Sequence, residues 1–206
     1  PMCAQQRHSN NGQPVTPGFM VVLSAPSGGG KTSILKRIMA SGDSVFRYSV
    51  SATTRAPRNG EKHSHDYFFL GLEEFQKKAA AGEFLEHALV HGNHYGTLRT
   101  AVEEWMAEGQ IVLMDLDVQG GLNVKEQMGD RALLIFIQPP SITSLRERLA
   151  GRNTDKPEEI DVRLQGAARE MEMAKHYDFV LENHDLEQTV QEVMRIIDQH
   201  RKQIGL

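Results

Sequence analysis

The chain holds 206 residues, enough for one compact domain, or one core with small inserts, around a substantial apolar interior. Its 23 basic and 27 acidic residues leave a formal net charge of −4, which offers no global field for nucleic acid and leaves phosphate binding to local clusters. A single cysteine, Cys3, excludes an internal disulfide framework and suits a reducing, cytoplasmic compartment, and no run reaches the ~18 apolar residues of a membrane span.

Residues 1–18 are polar, with scattered proline and glycine, and read as a disordered tail rather than a signal peptide or strand. Phe19 to Leu23 then forms an apolar, partly β-branched run, as a strand buried on both faces requires. It breaks into Ala25-Pro26-Ser27-Gly28-Gly29-Gly30-Lys31-Thr32-Ser33, the most informative stretch of the chain. The three glycines let backbone N–H groups turn inward around an anion, and a helix starting near Lys31 adds its positive N-terminal end. Lys31 supplies a point charge for phosphate oxygens and the Thr32 hydroxyl can ligate Mg²⁺, so the stretch reads as a phosphate loop for a nucleoside triphosphate. A glycine-rich turn bearing an ordinary surface lysine is the plainer alternative, but the flanking strand and helix patterns favour the loop. Ala25 stands where the pattern has its first glycine; it costs about 1–2 kcal/mol if that position needs positive φ, and nothing if it continues the strand.

Beyond the loop, apolar spacing predicts a helix over 32–40, stopped by Ser41-Gly42, and a strand over 46–51. A polar loop follows over 52–60, then a short aromatic strand over 66–70, a helix over 72–81, an alternating strand over 83–90 and a turn over 91–96. A helix over 97–107 leads to a buried strand over 111–114, ending at Asp115. Gly120-Gly121 reads as a break before a short helix, and residues 132–137 as another buried strand. Pro139-Pro140-Ser141 favours helix initiation at Ile142. A charged loop over 151–157, a helix over 158–175, a strand over 179–181 and an amphipathic helix over 186–203 complete the chain. This alternation implies an α/β fold, a parallel sheet covered by helices on both faces. Residues 55–95 break the rhythm and read as a small, largely antiparallel insert.

Asp115, at the end of a buried strand, is positioned to order a Mg²⁺ shell directly or through water, although a helix-capping aspartate is the simpler role. Arg55 and Arg58 form one arginine set; Arg148 and Arg152, four apart, with Arg163 in the next helix, form another. Bidentate guanidinium groups match phosphate oxygens, and two sets suit a reaction between two phosphate-bearing partners. His63, His65, His87, His91 and His94 have no cysteine beside them and need not converge, so a transition-metal site is not expected.

Taken together, these segments resemble the guanylate kinase family. The resemblance rests on the phosphate loop at 25–32, Ser49-Val-Ser-Ala-Thr-Thr-Arg-Ala-Pro-Arg-Asn-Gly-Glu61, His65-Asp-Tyr-Phe-Phe69 and Gly82-Glu-Phe-Leu-Glu86. Gly92-Asn-His-Tyr-Gly-Thr97, Asp115-Leu-Asp-Val-Gln-Gly120, Pro139-Pro-Ser141 and Arg148-Leu-Ala-Gly-Arg152 extend it, from about Phe19 to the C-terminus. It implies a P-loop kinase core over 19–50 and 98–206, with a lid at about 148–163 and a GMP-binding insert over 51–97. The implied reaction is Mg²⁺-dependent phosphoryl transfer from ATP, bound by residues 25–33 with Asn183 near the adenine, to GMP or dGMP. By position, Arg55, Arg58 and Tyr67 would hold the GMP phosphate beside Tyr95, while Ser51, Glu86, Thr97 and Asp117 would read the guanine. A carboxylate suits that task, because it can accept from guanine N1–H and the 2-amino group at once. Lys31, Arg55 and the lid arginines Arg148, Arg152 and Arg163 would carry the catalysis. Thr97 stands where many relatives carry serine. A non-catalytic guanylate-kinase-like module that binds phosphopeptides is the rival; Lys31, Thr32 and the lid arginines argue against it. A kinase for a ribose phosphate is a third possibility, opposed by Glu86 and Asp117. No nucleic acid or membrane partner is expected, and the sequence leaves monomer and homo-oligomer both open.

Overall fold

A computed structural model describes residues 16–90, 92–151 and 157–206. Most of the expected tail, His91 and Arg152 lie outside the described residues. The chain runs β1 (Met20–Ser24), α1 (Lys31–Met39), β2 (Phe46–Tyr48), β3 (Ala52–Thr53), β4 (Phe68–Phe69), α2 (Leu72–Ala80), β5 (Phe84–Val90) and β6 (Asn93–Leu98). It continues through α3 (Arg99–Ala107), β7 (Ile111–Asp115), α4 (Val118–Met128), β8 (Ala132–Gln138), α5 (Ile142–Ala150), α6 (Pro157–Met173), β9 (Phe179–Glu182) and α7 (Leu186–Ile204). The fold is α/β, with parallel strands flanked by helices, as the alternating pattern predicts. Two compact units can be described separately.

The first unit comprises Ser44–Met114 with the described residues up to Met20 and Gln203–Leu206. Here β2 and β7 pair in parallel, Phe46 opposite Ile111. The described end of the expected tail is tied down, since the Gly18 N–H donates to the Met106 carbonyl at 2.7 Å. A second sheet has the order β4-β3-β6-β5. Its β3 runs parallel to β4 and antiparallel to β6, and β5 and β6 form an antiparallel hairpin, so the insert is mixed. Ala52, Phe75 and Phe84 form its core, with the two phenylalanine rings stacked at 4.4 Å. Three boundaries differ from the sequence reading. The strand expected over 46–51 ends at Tyr48, and Ala52–Thr53, expected as loop, forms β3. Asn93–Leu98, expected as turn and helix start, is β6, so Thr97 is a strand residue. β6 is interior, paired on both edges, and tertiary pairing overrides the turn-like composition of its glycine, asparagine and histidine.

The second unit comprises Val21–Asp43 and Asp115–Lys202. Its strands lie in the order β1-β8-β9, with β8 and β9 parallel and Ile135 opposite Phe179. β1 is buried throughout and β8 nearly so, which explains their unbroken apolar composition. Terminal β9 leaves Phe179 and Val180 partly exposed. α1 buries Ile34, Leu35 and Ile38, and α7 buries Val193, Ile196 and Ile197, each at helical spacing. α5 and α6 share a separate apolar cluster of Leu145, Leu149, Ile160, Leu164 and Ala167. Gly120-Gly121 does not break the chain but lies inside α4. A Cβ on Gly121 would come within 2.4 Å of the Tyr177 hydroxyl and 3.3 Å of Val22, so close packing selects glycine there. Among the described residues, no helix is long and apolar enough to cross a membrane.

Candidate active site

In the second unit, β1 delivers the chain into a tight loop that ends on α1. Gly28 and Gly30 have φ of +92° and +99°, conformations that L side chains rarely adopt. The Gly29 N–H donates to the Pro26 carbonyl at 2.8 Å, and a Cβ at Gly29 would sit 2.9 Å from the Ala25 Cβ. Ala25 itself carries no left-handed strain: Ser64 is the only non-glycine residue with positive φ among those described. Alanine therefore replaces the first glycine of the pattern without backbone cost.

Lys31 opens α1, where the helix dipole favours anions. Its Nζ lies 2.6 Å from Asp115 Oδ1 and donates to the Leu116 carbonyl at 2.8 Å. The loop borders a cavity of about 310 Å³, lined by Ala25, Pro26, Ser27, Gly28, Gly30, Lys31, Thr32 and Ser33 together with Asp117 and Glu170. Thr32 and Ser33 are exposed on the first turn. Asp117, expected to read a base, caps α4 by accepting from the Gly120 N–H at 2.7 Å and stands beside the phosphate loop. Glu170 on α6 escapes the sequence reading. Burial raises its carboxyl above the ordinary range, Lys31 draws it back, and Asp117 adds to the rise. Its position next to the apolar stripe of Ile160, Leu164 and Ala167 was the available signal.

Asn183 is buried, and its Nδ2 donates to the Gly29 carbonyl at 2.9 Å while its Oδ1 accepts from Thr189. Its side chain thus supports the loop from below. Arg148, half-buried on α5, donates to the Asn183 carbonyl at 2.6 Å, so one residue links the loop to an arginine of the second set. Arg163 is exposed on α6.

A divalent cation fits the donors present. Thr32 and Asp115 offer oxygen only, and among the described residues no group of three or more His, Cys, Asp or Glu could cage a metal. Such a setting suits Mg²⁺, which keeps waters and is held largely by substrate phosphates.

In the first unit, Arg55 follows β3 and forms a fork with Glu61, Nη2 to Oε1 at 2.9 Å and Nη1 to Oε2 at 3.0 Å. Its guanidinium lies 5.4 Å from the Tyr67 ring centroid and 5.9 Å from that of Phe69. Hydrogen bonding to Glu61 raises the Arg55 pKa; burial opposes the rise and Tyr95 adds to it. Reciprocally, Arg55 and then the Arg58 N–H lower the Glu61 pKa. The Tyr67 and Tyr95 rings meet edge-on at 6.0 Å. The structure therefore gathers Arg55, Tyr67 and Tyr95, while the Arg58 side chain is exposed and its N–H is held by Glu61 at 2.7 Å. Glu61, like Glu170, is a residue whose role the sequence reading missed. Glu86 is 8 % exposed and accepts from the Thr97 hydroxyl at 2.9 Å, the two facing each other across β5 and β6. Half-buried Ser51 holds the Phe68 N–H with its carbonyl.

The family model described as guanylate kinase matches residues 18–200. The chain is 46 % identical to a guanylate kinase of Polaromonas sp. over 90 % of its own length and 89 % of the relative's. It is 43 % identical to a guanylate kinase of Thermotoga maritima, covering 91 % and 89 %. The crystal structure of guanylate kinase from Anaplasma phagocytophilum superposes with a TM-score of 0.74 at 36 % identity, covering 89 % and 86 % of the two chains.

Proposed function

The chain belongs to the guanylate kinase family, and from that premise we propose how its residues divide the transfer of the ATP γ-phosphoryl group to GMP. Lys31 carries the reading. Its ammonium stands at the mouth of a glycine loop, held by one carboxylate and one carbonyl, where it can follow charge onto the transferring phosphoryl group. The N–H groups of residues 25–33 receive the triphosphate, with the Thr32 and Ser33 hydroxyls beside them. Thr32, with Asp115 acting directly or through water, would hold Mg²⁺, which would neutralise phosphate charge. Asn183 supports the loop and aligns Arg148, which with Arg152 and Arg163 screens the transferring group. Asn183 also flanks the adenine.

On the acceptor side, Arg55 and Arg58 take the GMP phosphate with Tyr67 and Tyr95. Glu86, oriented by Thr97, accepts from the guanine N1–H and 2-amino group, assisted by Ser51 and Asp117. Little covalent chemistry is asked of the protein; positioning and charge stabilisation do the rest. A non-catalytic phosphopeptide-binding role is disfavoured because it has no use for Lys31, Thr32 and Arg148.

The test is a coupled ADP-release assay with GMP, dGMP, AMP and CMP, on the natural chain and on Lys31→Ala. GMP and dGMP should be accepted, AMP and CMP should not, and Lys31→Ala should lower kcat by at least ~100-fold. Equal use of AMP would refute the guanine assignment, and near-normal turnover by Lys31→Ala would refute the loop assignment.

A further inference from the structure

Two buried hydroxyls reach Lys31 through a single carbonyl. Ser24, fully buried at the end of β1, donates from Oγ to the Leu116 carbonyl at 2.9 Å. Tyr177, buried with its ring edge-on to Phe136 at 5.5 Å, donates from its hydroxyl to Ser24 Oγ at 2.8 Å; the Val118 carbonyl is farther, at 3.3 Å. Each hydroxyl owns one proton, so the chain of donation runs from Tyr177 to Ser24 to Leu116. Burial pushes the Tyr177 hydroxyl up to about 12, in the same direction as its role as a donor. The Leu116 carbonyl receives Lys31 Nζ, at 2.8 Å, as its second donor, so both of its lone pairs are used.

Leu116 lies between β7 and α4, in neither, and the donors that meet its carbonyl are the Ser24 hydroxyl and the Lys31 ammonium. Ser24 is thus the fixed partner that orients this carbonyl toward Lys31. Gly121 makes room for the Tyr177 hydroxyl that backs Ser24, since a Cβ there would lie 2.4 Å from it.

Resting on the reading of Lys31 given above, we propose that Ser24 and Tyr177 are positioning residues, which set the Leu116 carbonyl and through it the reach of the Lys31 ammonium. Neither residue needs to touch a nucleotide to do so. An ammonium tethered by a wandering carbonyl would sample positions away from the developing charge, and a misplacement on the order of 1 Å can cost up to ~100-fold in rate.

The experiment is steady-state and single-turnover kinetics on Tyr177→Phe, Ser24→Ala and their double variant, each also in a Lys31→Met background. Both substitutions keep the local volume, and thermal melts verify folding. If Tyr177→Phe does not fold, Ser24→Ala carries the test alone. Each single variant should lower kcat about 5- to 20-fold while the KM for either nucleotide changes less than about twofold. The double variant should be no worse than the greater single one, because both act along one path. In the Lys31→Met background each substitution should change kcat by less than about twofold. Unchanged kcat, a loss confined to KM, or an equal loss without Lys31 would overturn the proposal. A Lys31→Met enzyme of normal kcat would instead overturn the reading of Lys31 itself.

Discussion

Glu86, proposed above to read the guanine, is the residue on which substrate choice would turn. A carboxylate with only 8 % exposure is costly to bury unless donors meet it, and Thr97 supplies one at 2.9 Å. Glu86→Gln keeps the shape but turns one acceptor into an amide that faces a guanine donor. The change should cost about 2–4 kcal/mol in kcat/KM for GMP, leave the KM for ATP unchanged, and narrow discrimination against IMP, which lacks the 2-amino group. Equal weakening of both substrates would remove Glu86 from the base-reading role. Glu170 gives a pH signature. Burial holds its proton more tightly in the folded chain than in the unfolded one, so stability falls as pH rises from the unfolded pKa through the raised folded one. Glu170→Gln abolishes that dependence. It should melt above the natural chain at pH 8, and the gap should shrink toward pH 4; a gap independent of pH would contradict the assignment. At this scale the sequence singled out residues that sit in a local motif, such as Lys31, Thr32 and Arg55. Glu61 pairs with Arg55 6 positions away and Tyr177 with Ser24 153 positions away, and no sequence motif announces such pairings.

At the scale of elements, two helical glycines should respond oppositely to the same substitution. Gly121 in α4 faces the Tyr177 hydroxyl and Val22, and an added methyl would overlap the former. Gly166 in α6 has nothing within 4 Å of an added Cβ. Gly121→Ala should destabilise by about 1–3 kcal/mol through overpacking, whereas Gly166→Ala should stabilise by about 0.5–1 kcal/mol by restricting the unfolded chain. Urea midpoints would show it, and a stabilised Gly121→Ala would refute the contact. The same contrast explains where element reading failed. β1, β8 and the helices α1 and α7 declare themselves because their burial repeats along the chain. β6 and the first turn of α4 are held by neighbours, β3 and β5 in one case and Tyr177 in the other. Their glycines mark close approach, not interruption.

For the whole molecule, the loop residues proposed for ATP and, apart from Asp117, the residues proposed for GMP fall in different compact units, and ligand linkage can be read separately for each. A nucleotide at a hundredfold its Kd should stabilise the fold by about 2.7 kcal/mol, or roughly 5–10 °C for a chain of this size. Arg55→Ala should erase most of the GMP shift and spare the ATP shift; Lys31→Ala should do the reverse. Loss of both shifts in either variant, followed by differential scanning fluorimetry, would contradict the division of roles. The broad architecture was legible from alternating strand and helix patterns, whereas the unit boundary at Met114 and Asp115 falls within a single strand, β7, where composition does not change.

The end strand β9 bears on solubility. Four residues long, it has no strand partner on its outer edge among the described residues, and its apolar side chains Phe179 and Val180 are partly open on its two faces. Such an edge can template strand addition between copies during folding or storage. Here charge brackets it: Asp178 is paired with Lys125 at one end, and Glu182 with His184 lies at the other. A chain stripped of the Glu182 and His184 charges should aggregate more readily.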